Sequence, residues 1–213
     1  NSNFINNVDF YTSAFPVNSE NALSSVMVLN LKDGNKEKLL FDLSLGSSEA
    51  ALTLEGPFFK KNTFIASFRR SYLQYLFKSI GLPFLPTYND FQFKTKINIK
   101  KNYLTLIGLG TLDQFELNTE ANETKLQRYQ LGFLPVNEQW SYVLGAKYTF
   151  FKKNNFTNII LSRSHLNNIA EKYYQNDEEN TQIIDYKSNE IYNILKTENI
   201  RRTKNAKIIS GFS

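Results

Sequence analysis

The 213-residue sequence contains no cysteine and a single histidine, His165. Without cysteine the chain has no disulfide bridge, thiolate metal centre, iron–sulfur cluster or cysteine nucleophile. A single histidine also excludes a metal centre built from several imidazoles. No segment approaches the roughly 20 consecutive apolar residues that a transmembrane helix requires. That absence excludes helical membrane proteins only, because a membrane β-strand needs about 9–11 alternating residues and leaves no peak in a hydropathy profile.

The composition is that of a folded chain rich in aromatic rings. Hydrophobic residues make up 41% and charged residues 21%, which excludes a disordered chain. Aromatic residues reach 15%, with 18 phenylalanines and 12 tyrosines against one tryptophan. The net charge of +5 favours contact with anionic groups in general without specifying a partner.

Apolar and polar residues alternate with a period of two along much of the chain. In the clearest example, Phe91 and Phe93 alternate with Gln92, Lys94 and Lys96. This pattern is typical of a strand with one apolar and one polar face. It predicts strands over residues 39–45, 50–58, 90–99, 103–117 and 139–151. Helical spacing predicts one helix within residues 71–80 and a second over residues 167–174.

Short basic turns separate pairs of these strands at intervals of about 40–50 residues. They occupy residues 59–62, 99–102, 151–155 and 201–205, and we expect their asparagines to adopt positive φ angles. The intervening segments 71–89, 118–139 and 166–188 are long and predict loops. Tight turns at one end of a sheet and long loops at the other are typical of outer-membrane β-barrels. The alternative is a soluble antiparallel β-domain, in which the same alternation packs a core.

Several motifs in the first half of the chain resemble TonB-dependent outer-membrane receptors. Residues 9–17 (DFYTSAFPV), 21–26 (NALSSV) and 32–35 (KDGN) resemble the end of the plug domain of that family. The resemblance continues through residues 55–58 (EGPF), 67–73 (SFRRSYL) and 81–86 (GLPFLP), and covers about residues 9–115. Glu20 stands where the family usually carries glycine.

This resemblance implies an all-β fold: a partial antiparallel transmembrane β-barrel of about 8–9 strands out of a probable 22. Residues 1–36 would be the C-terminal end of the plug domain, and residues 37–213 the first barrel strands, with an unpaired edge at each end. The implied protein lies in the outer membrane and imports a scarce nutrient with energy relayed by TonB, which it contacts through parts outside this chain. The implied partners are outer-membrane lipid and lipopolysaccharide, a small-molecule, glycan or peptide substrate, and a surface lipoprotein.

The sequence also bears on three functions other than transport. A soluble β-domain would act as a carbohydrate-binding or adhesive module through its tyrosine and tryptophan loops. A nucleic-acid surface is not expected, because the lysine pairs lie at turns and not along one face of the sheet. An enzyme is not expected either, and we predict no catalytic residue, cofactor or metal site.

The candidate site residues follow from these expectations. Aromatic residues Tyr72, Tyr75, Tyr88 and Trp140 are candidates for substrate binding. Arg69 and Arg70 are neighbours in a strand and therefore point to opposite faces. One of them is expected to contact the plug, and the other the phosphates of lipopolysaccharide.

The remaining titratable residues are interpreted as solvated. Asp113 and Glu116 lie near a predicted strand end, and Glu178 and Glu179 lie in a polar segment. Neither pair has a base or an apolar pocket that would separate the two pKa values, as acid–base catalysis requires. His165 is interpreted as a loop or lumen residue.

Overall fold

The computed structural model describes residues 2–12, 14, 15, 19, 23–59 and 61–213. Parts of the plug-like motifs and one turn lysine lie outside the described residues: Ser13, Pro16, Val17, Glu20, Asn21, Ala22 and Lys60. The described chain forms eleven strands and two α-helices: β1 Ile5–Tyr11, β2 Val26–Leu31, β3 Leu40–Leu45, β4 Glu49–Phe58, β5 Asn62–Ser71, α1 Leu73–Ser79, β6 Phe84–Ile99, β7 Asn102–Leu117, α2 Lys125–Phe133, β8 Val136–Lys152, β9 Asn155–Tyr173, β10 Gln182–Arg202 and β11 Lys207–Phe212. Two short 3₁₀ turns, Ser2–Phe4 and Tyr174–Asn176, complete the secondary structure.

The strands form two antiparallel sheets. β1 pairs with β2, and β3 to β11 form a nine-stranded meander in which each strand pairs with its neighbours in sequence. In the described part of the chain β3 and β11 are not paired with each other, so the sheet is open and has two edges. The predicted all-β class, the antiparallel pairing, the number of strands and the unpaired edges are thereby confirmed.

All four predicted basic turns connect consecutive strands, but the positive φ angles do not fall on their asparagines. Phe59, Lys61 and Lys100 adopt positive φ instead. The side chain of Asn62 accepts a hydrogen bond from the backbone N–H of Asn98 at 2.9 Å, and Asn102 accepts one from Phe151 at 3.1 Å. The asparagines therefore join adjacent hairpins through their side chains, and the expectation that they adopt positive φ angles was wrong.

Each tight turn is displaced along the strands relative to the one before it. β5 begins at Asn62, which lies opposite Ile97 when the register is continued, and β6 extends two residues further, to Ile99. β7 begins at Asn102, which lies opposite Phe150, and β8 extends two residues further, to Lys152. A step of two residues is about 7 Å and the width of two strands is about 10 Å, so the strands are inclined at roughly 35° to the normal of the turn edge. The fourth turn steps by one residue only.

The helices lie in the long connections, at the end of the sheet opposite the tight turns. The secondary structure of these connections differs in part from the sequence prediction. The helix predicted within residues 71–80 is confirmed as α1. Residues 167–174, also predicted as a helix, belong mostly to β9, because they continue its ladder with β10. The segments 71–89 and 166–188 are shorter loops than expected, since β6, β9 and β10 extend into them. In the described part of the chain, no helix is long and apolar enough to cross a membrane.

The segment 118–139 contains α2, which was not predicted. Thr124 and Gln127 form a reciprocal capping box at its start, with hydrogen bonds of 3.1 Å and 2.8 Å. Its C-terminal carbonyls are capped by Lys172, a buried lysine of β9, which donates to the carbonyl oxygens of Leu131 and, at 2.8 Å, Leu134. This ammonium group ties the loop helix to the end of the sheet.

The two faces of the large sheet have opposite character, as the register shows. One row across six strands, on the apolar face, consists of Leu54, Ala66, Phe93, Gly108, Leu144 and Arg163. A row three residues closer to the loop end, on the polar face, consists of Ala51, Arg69, Asp90, Thr111, Ser141 and Leu166. The polar face is not uniform, because Ile107, Leu109 and Val143 form an apolar stretch in its middle.

The distribution of buried side chains is the reverse of that in a soluble β-domain, because polar side chains are buried and large apolar side chains are exposed. The buried polar strand residues lie on the polar face: Thr53, Thr63, Ser67, Ser71, Asp90, Thr105, Thr149, Asn158 and Lys172. On the apolar face, Phe68, Leu112 and Leu161 are 49%, 58% and 57% exposed. The side of the sheet that carries the larger hydrophobic residues is therefore the side left uncovered.

The segment that follows β2 contacts the polar face through charged groups. Asp33 accepts from Lys94 at 2.8 Å and from Lys96 at 2.6 Å, and Lys32 pairs with Glu55 at 3.0 Å. Burial alone would raise the pKa of Asp33, but hydrogen bonds and Coulombic attraction from the two lysines outweigh burial and lower the pKa below its usual value. Gly34 passes so close to β5 that an added Cβ would lie 1.9 Å from a backbone carbonyl oxygen.

A polar cluster near the loop end of the sheet

A charged cluster crosses strands β4, β5 and β6 where the polar face approaches the long loops. Arg69 donates from Nε to Asp90 at 2.5 Å and lies 3.3 Å from Glu49. Tyr88 donates to the same glutamate, and its ring lies 5.1 Å from the Arg69 guanidinium carbon. These four side chains meet because alternate residues of paired strands share a face. Two carboxylates hold one arginine, so the cluster carries one net negative charge.

The next row of the polar face places four polar side chains side by side. Tyr88, Asp113, Gln139 and Asn168 are register partners on β6, β7, β8 and β9. They line a cavity of about 360 Å³ together with Phe115 and other residues of the strand ends. Carboxylate and carboxamide groups both accept hydrogen bonds, and carboxamides also donate them. This row can therefore hold a ligand that offers hydroxyl or amide groups, with aromatic rings to cover its apolar parts.

The structure brings together two of the four predicted substrate-binding residues. Tyr88 lies in the cluster, and Tyr72 lies beside it, donating from its hydroxyl to the backbone oxygens of Gly46 and Glu49. Tyr75 is on α1 and is exposed to solvent. Trp140 is on the apolar face, in the same row as Leu112, and does not line the cavity.

The two neighbouring arginines point to opposite faces, as predicted. Arg69 is held by strand carboxylates, and among the described residues it has no ion pair with the N-terminal segment. Arg70 lies on the apolar face near the loop end, where it donates to Asn89 at 2.8 Å. Its predicted contact with lipopolysaccharide phosphates stays a prediction.

Three of the residues interpreted as solvated or loop groups lie within strands. Asp113 is half-buried on the polar face of β7, where sequence alternation alone could have placed it, and Glu116 lies near the end of the same strand. His165 is in β9 on the apolar face, and its ring packs edge-on against Trp140 at 4.6 Å and Tyr142 at 5.5 Å. The interpretation of His165 as a loop residue was therefore wrong. Gln139 and Asn168 were missed, because only the strand register shows that they adjoin Asp113.

No family model, curated protein or solved structure matches the chain. Within the described ranges, histidine, aspartate and glutamate residues form no group of three that could hold a metal ion. The function is therefore argued from the faces of the sheet and from the polar cluster.

Proposed function

We propose that this chain is part of a TonB-dependent outer-membrane receptor, which binds a scarce nutrient and imports it across the outer membrane. Residues 1–36 are the end of the plug domain, and residues 37–213 supply nine strands of a larger transmembrane β-barrel. The TonB complex acts on parts of the receptor outside this chain. The substrate is a small molecule, glycan or peptide, and a surface lipoprotein is a possible partner by the same resemblance.

The observation that carries this proposal is the inverted burial of the sheet. Threonine, serine, aspartate and lysine side chains are buried on one face, while leucine and phenylalanine side chains are exposed on the other. A contiguous apolar surface of this size is unfavourable in water. Lipid-facing strands carry such a surface, and the lumen side of the same strands is polar.

The tilt of the turn edge supports the same proposal. Strands of outer-membrane barrels are inclined by about 35–45° to the barrel axis, so successive turns step along the strands. The two-residue steps at Ile99 and Lys152 correspond to roughly 35°. The aromatic residues near the turns on the apolar face, among them Phe64, Tyr148 and Phe150, would then form the girdle at the inner boundary of the lipid.

The position of the N-terminal segment fits a plug domain. The ion pairs of Lys32 and Asp33 fix this segment to the face that becomes the barrel lumen. The cluster of Arg69, Glu49 and Tyr88 and the cavity beside it lie on that face, near the long loops. This location is where a substrate arriving from outside would first meet polar groups of the lumen.

The first test uses the native source of the protein. Membranes are isolated, run on a denaturing gel with and without boiling, and the bands that contain this sequence are identified from peptide masses. We expect the protein in the outer-membrane fraction, with a mobility that changes on boiling, because intact barrels resist detergent until heated. A water-soluble protein with unchanged mobility would refute transport and favour a carbohydrate-binding or adhesive module.

A further inference from the structure

One arginine lies in the middle of the apolar face of the sheet, away from both of its ends. Arg163 of β9 continues the register row that runs through Phe93, Gly108 and Leu144. Its side chain is exposed, and in the part of the chain that the structure describes it has no carboxylate partner. An arginine that faces lipid without a counter-ion is costly, so such a residue indicates an interaction that neutralises it.

Neutral neighbours hold the guanidinium in place. Nε donates to the hydroxyl of Tyr142 at 3.2 Å, and Nη1 donates to Oδ1 of Asn193 at 3.2 Å. A guanidinium group has five N–H donors, so three remain available. Arginine presents such donors in a planar fork that matches the oxygens of a phosphate group.

The strand tilt and the direction of the side chain bring the guanidinium from the middle of the apolar face toward the loop-side boundary of the lipid. With strands inclined at about 35°, one step along the register row moves Arg163 roughly 3 Å toward the loops relative to Leu144. The side chain then extends toward Tyr142, which lies two residues closer to the loops than Leu144. Long cationic side chains commonly reach the headgroup region in this way, with their methylene groups in the apolar layer.

An apolar groove begins at the arginine and leads away from the loops. Phe93, Leu106, Leu144, Ala146 and Leu161 line it, Arg163 and Asn193 stand at its polar end, and its volume is about 410 Å³. Ala146 is small and leaves room between the larger side chains of the groove. The ring of Phe93 lies directly over Gly108, where a Cβ would meet it at 2.0 Å. Its shape and polarity suit an acyl chain whose anionic head lies at the loop side.

We propose that Arg163 and this groove bind one phosphate-bearing membrane lipid. The phosphate accepts hydrogen bonds from the free N–H groups of Arg163, and an acyl chain lies along Leu144, Ala146 and Leu161. This proposal rests on the proposed function, because it requires the apolar face to be in contact with lipid. The proposed site at Arg163 is a second phosphate contact, in addition to the one predicted at Arg70. The Arg163 site differs from the Arg70 contact because an apolar groove for an acyl chain adjoins it.

The test measures lipid binding to the intact protein that contains this chain. The protein is purified in an uncharged detergent, and native mass spectrometry follows the binding of dioleoyl phosphatidylglycerol and of dioleoylglycerol, which lacks the phosphate. We expect Arg163→Gln to weaken phosphatidylglycerol binding by roughly tenfold or more, since a charge-assisted hydrogen bond is lost. Arg163→Lys should retain part of the affinity, and dioleoylglycerol should bind weakly and equally to all variants.

Lys147→Gln is the matched control, because Lys147 is a cation of the adjacent strand on the polar face. It should bind phosphatidylglycerol like the unmodified protein. A membrane-embedded protein whose Arg163→Gln variant keeps full affinity would overturn this inference and leave the proposed function intact. Displacement of the lipid by millimolar inorganic phosphate would overturn it as well, because the acyl groove would then contribute nothing. A protein found outside the membrane would refute the proposed function itself.

Discussion

The decisive prediction concerns a charge introduced on each face of one strand. Leu144 and Val143 are neighbours in β8, they are 48% and 39% exposed, and they point to the apolar and polar faces respectively. We compare Leu144→Lys with Val143→Lys. Because the two side chains are similarly exposed, the two substitutions would have nearly the same free-energy cost if both faces were in water. The costs differ only if one face lies against the apolar layer of a membrane.

The expected magnitude follows from the position of Leu144. It lies four residues from Trp140 and four from Tyr148, which is about 13 Å along the strand on either side. At a tilt near 35° each distance projects to roughly 11 Å along the membrane normal, so Leu144 is close to the middle of an apolar band about 25 Å tall. A lysine there costs about 2–4 kcal/mol, a change of roughly 30-fold to 1,000-fold in the folding equilibrium.

The assay is the fraction of the intact protein that reaches the membrane and shows a heat-dependent gel mobility. Leu144→Lys should lower this fraction strongly, while Val143→Lys, which faces the lumen, should have little effect. Leu144→Phe is the control for size: it should assemble normally against lipid, whereas in a close-packed core the larger ring would cost about 1–3 kcal/mol. Equal losses from the two lysine variants, or a phenylalanine variant as impaired as the lysine variant, would refute the assignment of the faces.

Three further predictions concern the segments attached to the sheet. Asp33→Asn should loosen residues 31–38, seen as faster hydrogen exchange, because two partly exposed ion pairs worth about 1–2 kcal/mol together are lost. Since the folded-state pKa of Asp33 lies below its ordinary value of 3.8, its contribution should be complete above about pH 5 and disappear as the pH falls below about 4; an unchanged exchange rate across that range would contradict it. Gly34→Ala should release the same segment at every pH, because the added Cβ meets the β5 backbone, and a protein protected as before would show that the close approach is absent. Lys172→Met should leave the carbonyls of Leu131 and Leu134 without their donor, cost about 2–3 kcal/mol and expose residues 118–135 to limited proteolysis, whereas unchanged resistance would show that the cap is dispensable.

Sequence patterns predicted the strands well where one face is apolar and the other polar. The alternation around Phe91 and Phe93 and the basic turns located the central hairpins to within a few residues. Prediction failed where the local helical preference of a segment competes with its pairing to a neighbouring strand. Residues 167–174 have helical spacing, but the ladder with β10 satisfies their backbone hydrogen bonds as a strand. By contrast, α2 had a local signal, the Thr124 and Gln127 capping box, which alternation does not reveal.

The candidate site was less predictable, because it depends on which residues of different strands share a row. Alternation shows that Arg69 and Arg70 point to opposite sides, but it does not show that Asp90 is the partner of Arg69. The row from Tyr88 to Asn168 depends on the register of three strand pairs. Register follows from turn lengths and side-chain packing together, and a one-residue slip would move every side chain to the other face.

The meander order has a consequence for how the molecule forms. From β3 to β11, every pairing joins strands that are consecutive in the chain, and five of the eight connections are turns of two to four residues. Contacts between chain neighbours close short loops and need little search, so hairpins with low contact order form quickly. The sheet can therefore grow one hairpin at a time, each new hairpin using the previous edge as its template. A membrane-insertion complex that takes up two strands at a time would therefore encounter the same unit repeatedly: a hairpin whose tip is a short basic turn.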